Sequence, residues 1–217
     1  MALVVDVVSD FVCPWCFLGR RRLKAALASL RAERPGLAVQ VNWLPYFLNP
    51  GTPVAGEPYR PFLEAKFGGR AAVDRLLADV SQAASDELSF DFERIALRPN
   101  TLRAHRLCYR AQSLGYRSDR VDALVEAIFV AYFQQGRDIG SIETLADIAA
   151  ECGDRREAVV EYLSGPSDEQ AVRKMASQVQ KQGVTGVPFF IIDRRIAVSG
   201  AQTATAMGAA LRQVLSD

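Results

Sequence analysis

The chain has 217 residues, 49% of them hydrophobic and 24% charged, with a formal net charge of +1. This fits a globular protein with one enlarged domain, or a small domain carrying a sizeable insertion, and gives no electrostatic footing for nucleic acid or an anionic membrane. No apolar run reaches the roughly 20 residues that a bilayer-spanning helix needs.

Leu3 to Val8 reads as a short, valine-rich strand covered on both faces. Asp6 interrupts it, no basic segment precedes it and no small-residue cleavage site follows. A secretory signal is therefore not expected, and a cytoplasmic location is. Ser9-Asp10 ends the strand, and Pro14 stands where a helix can begin without losing a needed hydrogen bond. Leu23, Leu27 and Leu30 mark the inner face of that helix, with Arg20, Arg21, Arg22 and Lys24 on its early turns. Pro35-Gly36 closes it, and Leu37, Val39, Val41 and Trp43 then alternate with Ala38, Gln40 and Asn42 as a second strand.

A loop over Gly51 to Pro61 leads into a long helical stretch. One helix is expected near 70–86, with Leu76, Leu77 and Val80 on one face. A second carries Ala104, Leu107, Cys108, Ala111 and Leu114, and a third Val121, Leu124, Val125, Ile128, Phe129 and Tyr132. Ser141 can cap a fourth, which carries Ile142, Leu145, Ile148 and Cys152 and ends at Gly153. Shorter helices follow near 155–164 and from Ser167 or Asp168 to Gly183. The chain closes with an apolar strand from Val187 to Ile192, a tight turn at Arg194-Arg195, a strand over 196–198 and a helix from Ala201 to Leu215. The outer parts read β-α-β and α-β-β-α around about 100 residues of helix, an α/β arrangement with a large all-helical insertion.

Cys13-Pro14-Trp15-Cys16 places two sulfurs one helical turn apart where a helix begins. Unpaired backbone N–H groups and the positive helix end there favour a thiolate on the first sulfur. That thiolate can attack a disulfide, and Cys16 can resolve the resulting mixed disulfide. Zinc is disfavoured, because a closed structural site takes about four ligands and only His105, Cys108 and Cys152 remain. Cys108 and Cys152 fall on apolar stripes, as inert buried thiols do. Val187-Pro188 opens the late apolar strand; a cis bond there would free the Val187 backbone to pair with an extended substrate and set the proline ring beside the sulfurs. Asp6 reads as a solvent-facing or strand-end carboxylate rather than a buried proton shuttle for Cys16. His105 reads as a hydrogen-bonded packing residue, and Asn100 and Thr101 as helix caps.

Ser9-Asp10-Phe11-Val12-Cys13-Pro14-Trp15-Cys16, Pro99-Asn100-Thr101 with Ala104-His105-Arg106-Leu107, Gly186-Val187-Pro188-Phe189-Phe190 and Ser199-Gly200-Ala201-Gln202 together resemble the DsbA family, in particular its FrnE-like branch. The resemblance implies a thioredoxin-like fold, residues 1–58 and 166–217, with a helical insertion subdomain, residues 59–165. It implies dithiol–disulfide exchange on a protein or small-molecule substrate, with catalytic Cys13, Cys16 and a cis Pro188. Trp15, Val187, Asn49, Asn100, Thr101 and His105 are then the expected substrate contacts, with no metal and no cofactor beyond glutathione as a redox partner. Trp15 stands where periplasmic DsbA carries histidine and cannot donate charge, so a less oxidising pair is expected. Related 2-hydroxychromene-2-carboxylate isomerases and kappa-class glutathione transferases share the architecture but carry serine or a single activating residue at the Cys13 position. Asn49 and Ser199 match their glutathione contacts, whereas Gly200-Ala201-Gln202 supplies no carboxylate for the glutathione amine. A glutathione-dependent isomerase or transferase is therefore the alternative.

Overall fold

A computed structural model of the chain describes residues 2–216. In chain order it contains β1 (Leu3–Ser9), α1 (Pro14–Glu33), β2 (Val39–Pro45), β3 (Glu57–Pro58), α2 (Tyr59–Phe67) and α3 (Arg70–Ala84). There follow β4 (Leu97–Arg98), α4 (Leu102–Ser113), α5 (Ser118–Phe133), α6 (Ile142–Glu151), α7 (Arg156–Ser164) and α8 (Glu169–Lys181). The last elements are β5 (Phe189–Ile192), β6 (Ile196–Ser199) and α9 (Ala204–Ser216). These residues form two compact units, one running up to Leu48 and resuming at Arg173, the other Asn49–Val172. The result is the α/β, thioredoxin-like arrangement with a helical insertion.

The first unit is built on a sheet of order β2-β1-β5-β6, with β1 parallel to β2 and antiparallel to β5. A parallel pair needs a long crossover, which α1 supplies. Its inner face is the expected leucine stripe: Leu23, Leu27 and Leu30 are buried, with Ala26 between them. The α1 and α9 helices pack together, and Arg212 donates to both Glu33 carboxylate oxygens, at 2.9 and 2.6 Å.

β1 is covered more on one face than on the other. Leu3, Val5, Val7 and Ser9 are buried on one face, whereas on the other Val4 and Asp6 stay half-exposed and only Val8 is covered. Asp6 therefore lies mid-strand in an interior strand yet keeps access to water, and it accepts a 2.7 Å hydrogen bond from Asn42 on β2. The β5–β6 turn spans Asp193 to Arg195 and sets Asp193 and Arg194 at positive φ without glycine. Two bonds to one residue hold it: Val4 N donates to Asp193 Oδ1 at 2.7 Å, and Asp193 N to Val4 O at 2.8 Å. Aspartate tolerates the left-handed region better than most side chains, and these contacts fix it there.

In the second unit the stripes expected on α5 and most of α4 are buried. Leu114 is the exception, because α4 stops before it and leaves it exposed. On α3 the buried line is Val73, Val80 and Ala84, with Leu76 turned outward. The stretch before α3 holds a separate helix, α2, ended by Gly68 and Gly69 at positive φ. Ser141 caps α6 as expected, accepting from Thr144 N at 3.4 Å.

Candidate active site

Three backbone and side-chain bonds shape the passage from β1 into α1. Tyr46 N donates to Ser9 O at 2.9 Å, Leu48 N to the Asp10 carboxylate at 2.9 Å, and Cys13 N to Asp10 O at 3.0 Å. The first two tie the end of β1 to the end of β2; the third folds the chain back so that Cys13 becomes the cap of α1. Cys13 has extended backbone (φ −98°, ψ 112°), and its carbonyl accepts from Cys16 N at 3.0 Å. Pro14 occupies the first helical position, where a missing N–H costs nothing.

Both sulfurs are buried free thiols, and their surroundings differ. Cys13 Sγ lies 3.7 Å from the carbonyl oxygen of Val187, to which the thiol donates. Burial pushes the Cys16 thiol well above the usual cysteine range, and the hydrogen bond and charge of Cys13 raise it further. The nearby Ser9 hydroxyl and Asp10 backbone N–H act in the opposite direction, favouring the charged sulfur. Cys16 is thus held as a thiol at neutral pH. Trp15, between the two, is 38% exposed, an unusual position for a large ring in this chain.

The Val187–Pro188 peptide is cis. Pro188 O accepts from Gly200 N at 2.9 Å, which anchors this loop to the segment after β6. Cys13, Trp15, Cys16, Val187 and Pro188 all belong to the first unit.

The remaining expected contacts belong to the second unit and are engaged there. Asn49 Nδ2 donates to Thr52 Oγ1 at 3.2 Å and to Glu57 at 3.5 Å. Asn100 Nδ2 donates to Thr52 O at 2.6 Å, and its Oδ1 accepts from Leu102 N at 3.0 Å. Asn100 therefore caps the start of α4, whereas Thr101 makes no side-chain cap bond. Thr101 and His105 are buried. Of the other cysteines, Cys108 is buried and its thiol pushed up to about 12 by that burial alone. Cys152 ends α6 and is only half-buried, not fully inside an apolar stripe. Among the described residues no three His, Cys, Asp or Glu side chains gather as a metal site.

Ser9 and Asp10 were legible only as a strand end, yet they line the Cys16 sulfur. The available signal was position: Ser9 and Asp10 stand between a valine-rich strand and a Cys-x-x-Cys pair, so their backbone passes the sulfurs, while the Asp10 carboxylate is taken up by Leu48 N. The arrangement can hold one sulfur at a helix entry beside a backbone carbonyl, with a second, protonated sulfur beneath it.

The profile of the DSBA-like thioredoxin domain matches residues 4–212. A probable DsbA oxidoreductase from Streptomyces coelicolor superimposes with a TM-score of 0.87 at 30% identity, covering 99% of this chain and 91% of that one. The protein YwbO of Bacillus subtilis (strain 168) is 24% identical over 202 residues, 88% of each chain. The cytosolic disulfide reductase DsbM of Pseudomonas aeruginosa, in its structure with GSH, superimposes with a TM-score of 0.70 at 18% identity, covering 99% of this chain and all of that one. With its sulfur pair at the entry to α1 and a family profile running nearly end to end, the chain belongs to the DsbA-like thioredoxin family of oxidoreductases.

Proposed function

We propose that the protein is a dithiol–disulfide oxidoreductase of the FrnE-like branch, working through Cys13 and Cys16. The carrying observation is the asymmetry of the pair. Cys13 caps α1 beside the Val187 carbonyl, while Cys16 is buried and held as a thiol. The Cys13 thiolate attacks one sulfur of a substrate disulfide, forming a mixed disulfide and releasing the other substrate sulfur as a thiolate that takes up a proton. Cys16 then gives up its proton and attacks the Cys13 sulfur, closing the Cys13–Cys16 disulfide and releasing the second substrate thiol. Two electrons pass from the protein to the substrate, and the reverse sequence oxidises a dithiol.

Trp15 and the Val187 backbone supply the substrate contacts on the first unit. The corresponding roles of Asn49, Asn100, Thr101 and His105 rest on the family resemblance. Glutathione is the thiol we assign to recycle the pair, and a reducing, cytoplasmic setting makes net reduction the working direction. The DsbM structure with GSH, a chain of the same fold, motivates that choice.

Equilibration in graded glutathione buffers, followed by thiol counting, tests this reading. A single two-electron transition, absent from Cys13→Ser, is the expected result. Thiols that stay reduced and inert across the whole series would overturn it, and glutathione-dependent isomerisation would take its place.

A further inference from the structure

The helix that carries both cysteines touches the Pro188 loop through a residue with no side chain. Gly19 lies on α1, one turn after Cys16, and a Cβ placed there would stand 3.0 Å from Pro188 Cγ, 3.2 Å from Phe190 Cζ and 3.4 Å from Pro188 Cβ. Contacts of 3.0–3.2 Å between carbons lie well inside the optimum of about 3.5–4.0 Å. Gly19 has no need of glycine's conformational freedom: it sits inside a 20-residue helix, where alanine is favoured over glycine. Its lack of a side chain is therefore explained by this contact.

The neighbours cannot easily give way. Phe190 lies in β5, paired with Val7 on one side and Val198 on the other, and its side chain is fully buried. Pro188 is held from behind by the 2.9 Å bond from Gly200 N to its carbonyl. A methyl group at position 19 would separate α1 from the Pro188 loop, and the Cys13 Sγ to Val187 O contact spans that same gap.

We propose that Gly19 is a positioning residue for the thiol chemistry: its bare Cα lets the Pro188 ring seat on α1, and this sets the distance from Cys13 to the Val187 backbone. The inference rests on the disulfide-exchange reading above. Two consequences follow for a Gly19→Ala variant. The S–H donation to Val187 exists only in the reduced pair, so weakening it shifts the equilibrium toward the disulfide by about three- to tenfold, the range of one hydrogen bond. A substrate strand docked on Val187 is also displaced from the Cys13 sulfur, so mixed-disulfide formation with a disulfide-bonded peptide slows about tenfold, since reaction demands close alignment.

Gly208 provides the matched control. It too is a buried glycine inside a helix of the first unit, but a Cβ there meets first the far end of the half-exposed Arg212 side chain, at 3.1 Å, whose surface pair with Glu33 contributes little if it shifts. Wild type, Gly19→Ala and Gly208→Ala are compared by glutathione equilibrium, by the rate with the peptide disulfide and by thermal melting. Gly208→Ala is expected to keep the wild-type equilibrium and rate while its Tm rises by about 2–4 °C. Gly19→Ala is expected to shift both redox readouts and to gain nothing in Tm. If Gly19→Ala instead matches Gly208→Ala, with higher Tm and unchanged equilibrium and rate, the proposal is overturned. Should Gly19→Ala not fold, the same substitution in a Phe190→Leu background relieves the 3.2 Å contact. An equilibrium displaced from that of Phe190→Leu alone supports the role, and an identical one removes it. A wild-type protein with no redox transition would sink the exchange reading itself, and the proposal with it.

Discussion

Both units of the molecule bury polar side chains, and they use them in opposite ways. In the second unit the buried arginines are spent. Arg106, 3% exposed, donates to four backbone carbonyls: Ser167 at 2.8 Å, Leu163 at 3.3 Å, Tyr162 at 2.9 Å and Gly165 at 2.6 Å. It thereby closes the C-terminus of α7, whose last carbonyls have no helical partner. Arg98 likewise donates to Thr52 and Glu57 and lies 4.3 Å above the Phe62 ring. In the first unit, the buried Ser9 side chain and the Asp10 backbone lie at a sulfur whose protonation can change, while the Asp10 carboxylate accepts from Leu48 N. The cysteines repeat the contrast. Burial raises both Cys16 and Cys108, but only Cys16 has a partner sulfur at a helix entry. Burial alone makes a thiol inert; burial beside a second sulfur is the ground for the resolving role proposed for Cys16.

The largest effect should come from separating these two kinds of cysteine. Cys13→Ser is expected to lose disulfide exchange by at least ~10³-fold, as removal of a nucleophile generally does. Cys16→Ser should retain the first step and accumulate a mixed disulfide visible by mass spectrometry. Cys108→Ser should stay within about twofold of wild type, since its thiol is buried and held protonated. A loss of activity in Cys108→Ser comparable to that of Cys13→Ser would erase the distinction.

Next in size is the arginine that the second unit spends. Arg106→Leu keeps an apolar stem but removes the donors of four carbonyls; only the Leu163 bond is fully buried, the other three acceptors can turn to water in part, and a buried acceptor left unpaired costs about 1–3 kcal/mol. A net loss of about 3 kcal/mol, or roughly 6–12 °C in Tm, is expected by thermal or urea unfolding. The glutathione equilibrium of the folded protein should not move. If it moves while stability does not, Arg106 serves the sulfur chemistry and the contrast between the units fails.

Arg106 also marks where the sequence stops being informative. Repeating patterns were legible: the leucine stripe of α1, the long stripe of α5, the Ser141 cap and the strand–helix–strand entry all follow from local spacing. So does the placement of the sulfur pair, because Pro14 after Cys13 sets both sulfurs at a helix entry. The partners of Arg106 lie 56 to 61 residues away, and nothing in Ala104-His105-Arg106-Leu107 indicates that the guanidinium folds inward. The two-residue β3–β4 pair was invisible for the same reason, since it brings Glu57 beside Arg98 across the intervening helices. Leu76 and Leu114 failed differently. A stripe predicts a face, but the end of a helix or a neighbour's absence decides whether that face is covered. Gly19 was silent too, because the reason for its small size is a proline 169 positions further along the chain.

A pH comparison sharpens the cysteine contrast at lower amplitude. Burial lifts Cys108 from an ordinary 9.0 to about 12, so the folded chain keeps a proton that the unfolded chain gives up. That contribution to stability is fully present below about pH 9 and erodes as the pH rises toward 12, by up to about 1.4 kcal/mol per pH unit. Between pH 8 and 10.5 the reduced wild type should therefore lose about 2 kcal/mol more than Cys108→Ala, whatever the constant cost of the small cavity. Equal slopes for the two proteins would mean that Cys108 is not buried from water in solution.

The smallest effect is expected at Asp6, the one carboxylate on β1, the strand that leads into the sulfur pair. Gln40 donates to Asn42 at 2.9 Å and Asn42 to Asp6 at 2.7 Å, a short polar chain across the half-exposed face of β1 and β2. Asp6→Asn keeps the shape and replaces a charge-assisted bond with a neutral one, so about 1 kcal/mol or less of stability should go. Mixed-disulfide formation and its resolution by Cys16 should both stay within about twofold, followed by quenched-flow trapping of the intermediate. A resolution step slowed tenfold, with formation and Tm unchanged, would instead assign Asp6 the removal of the Cys16 proton. That result would redraw the comparison, because a polar group satisfied within its own unit would then also take part in the chemistry.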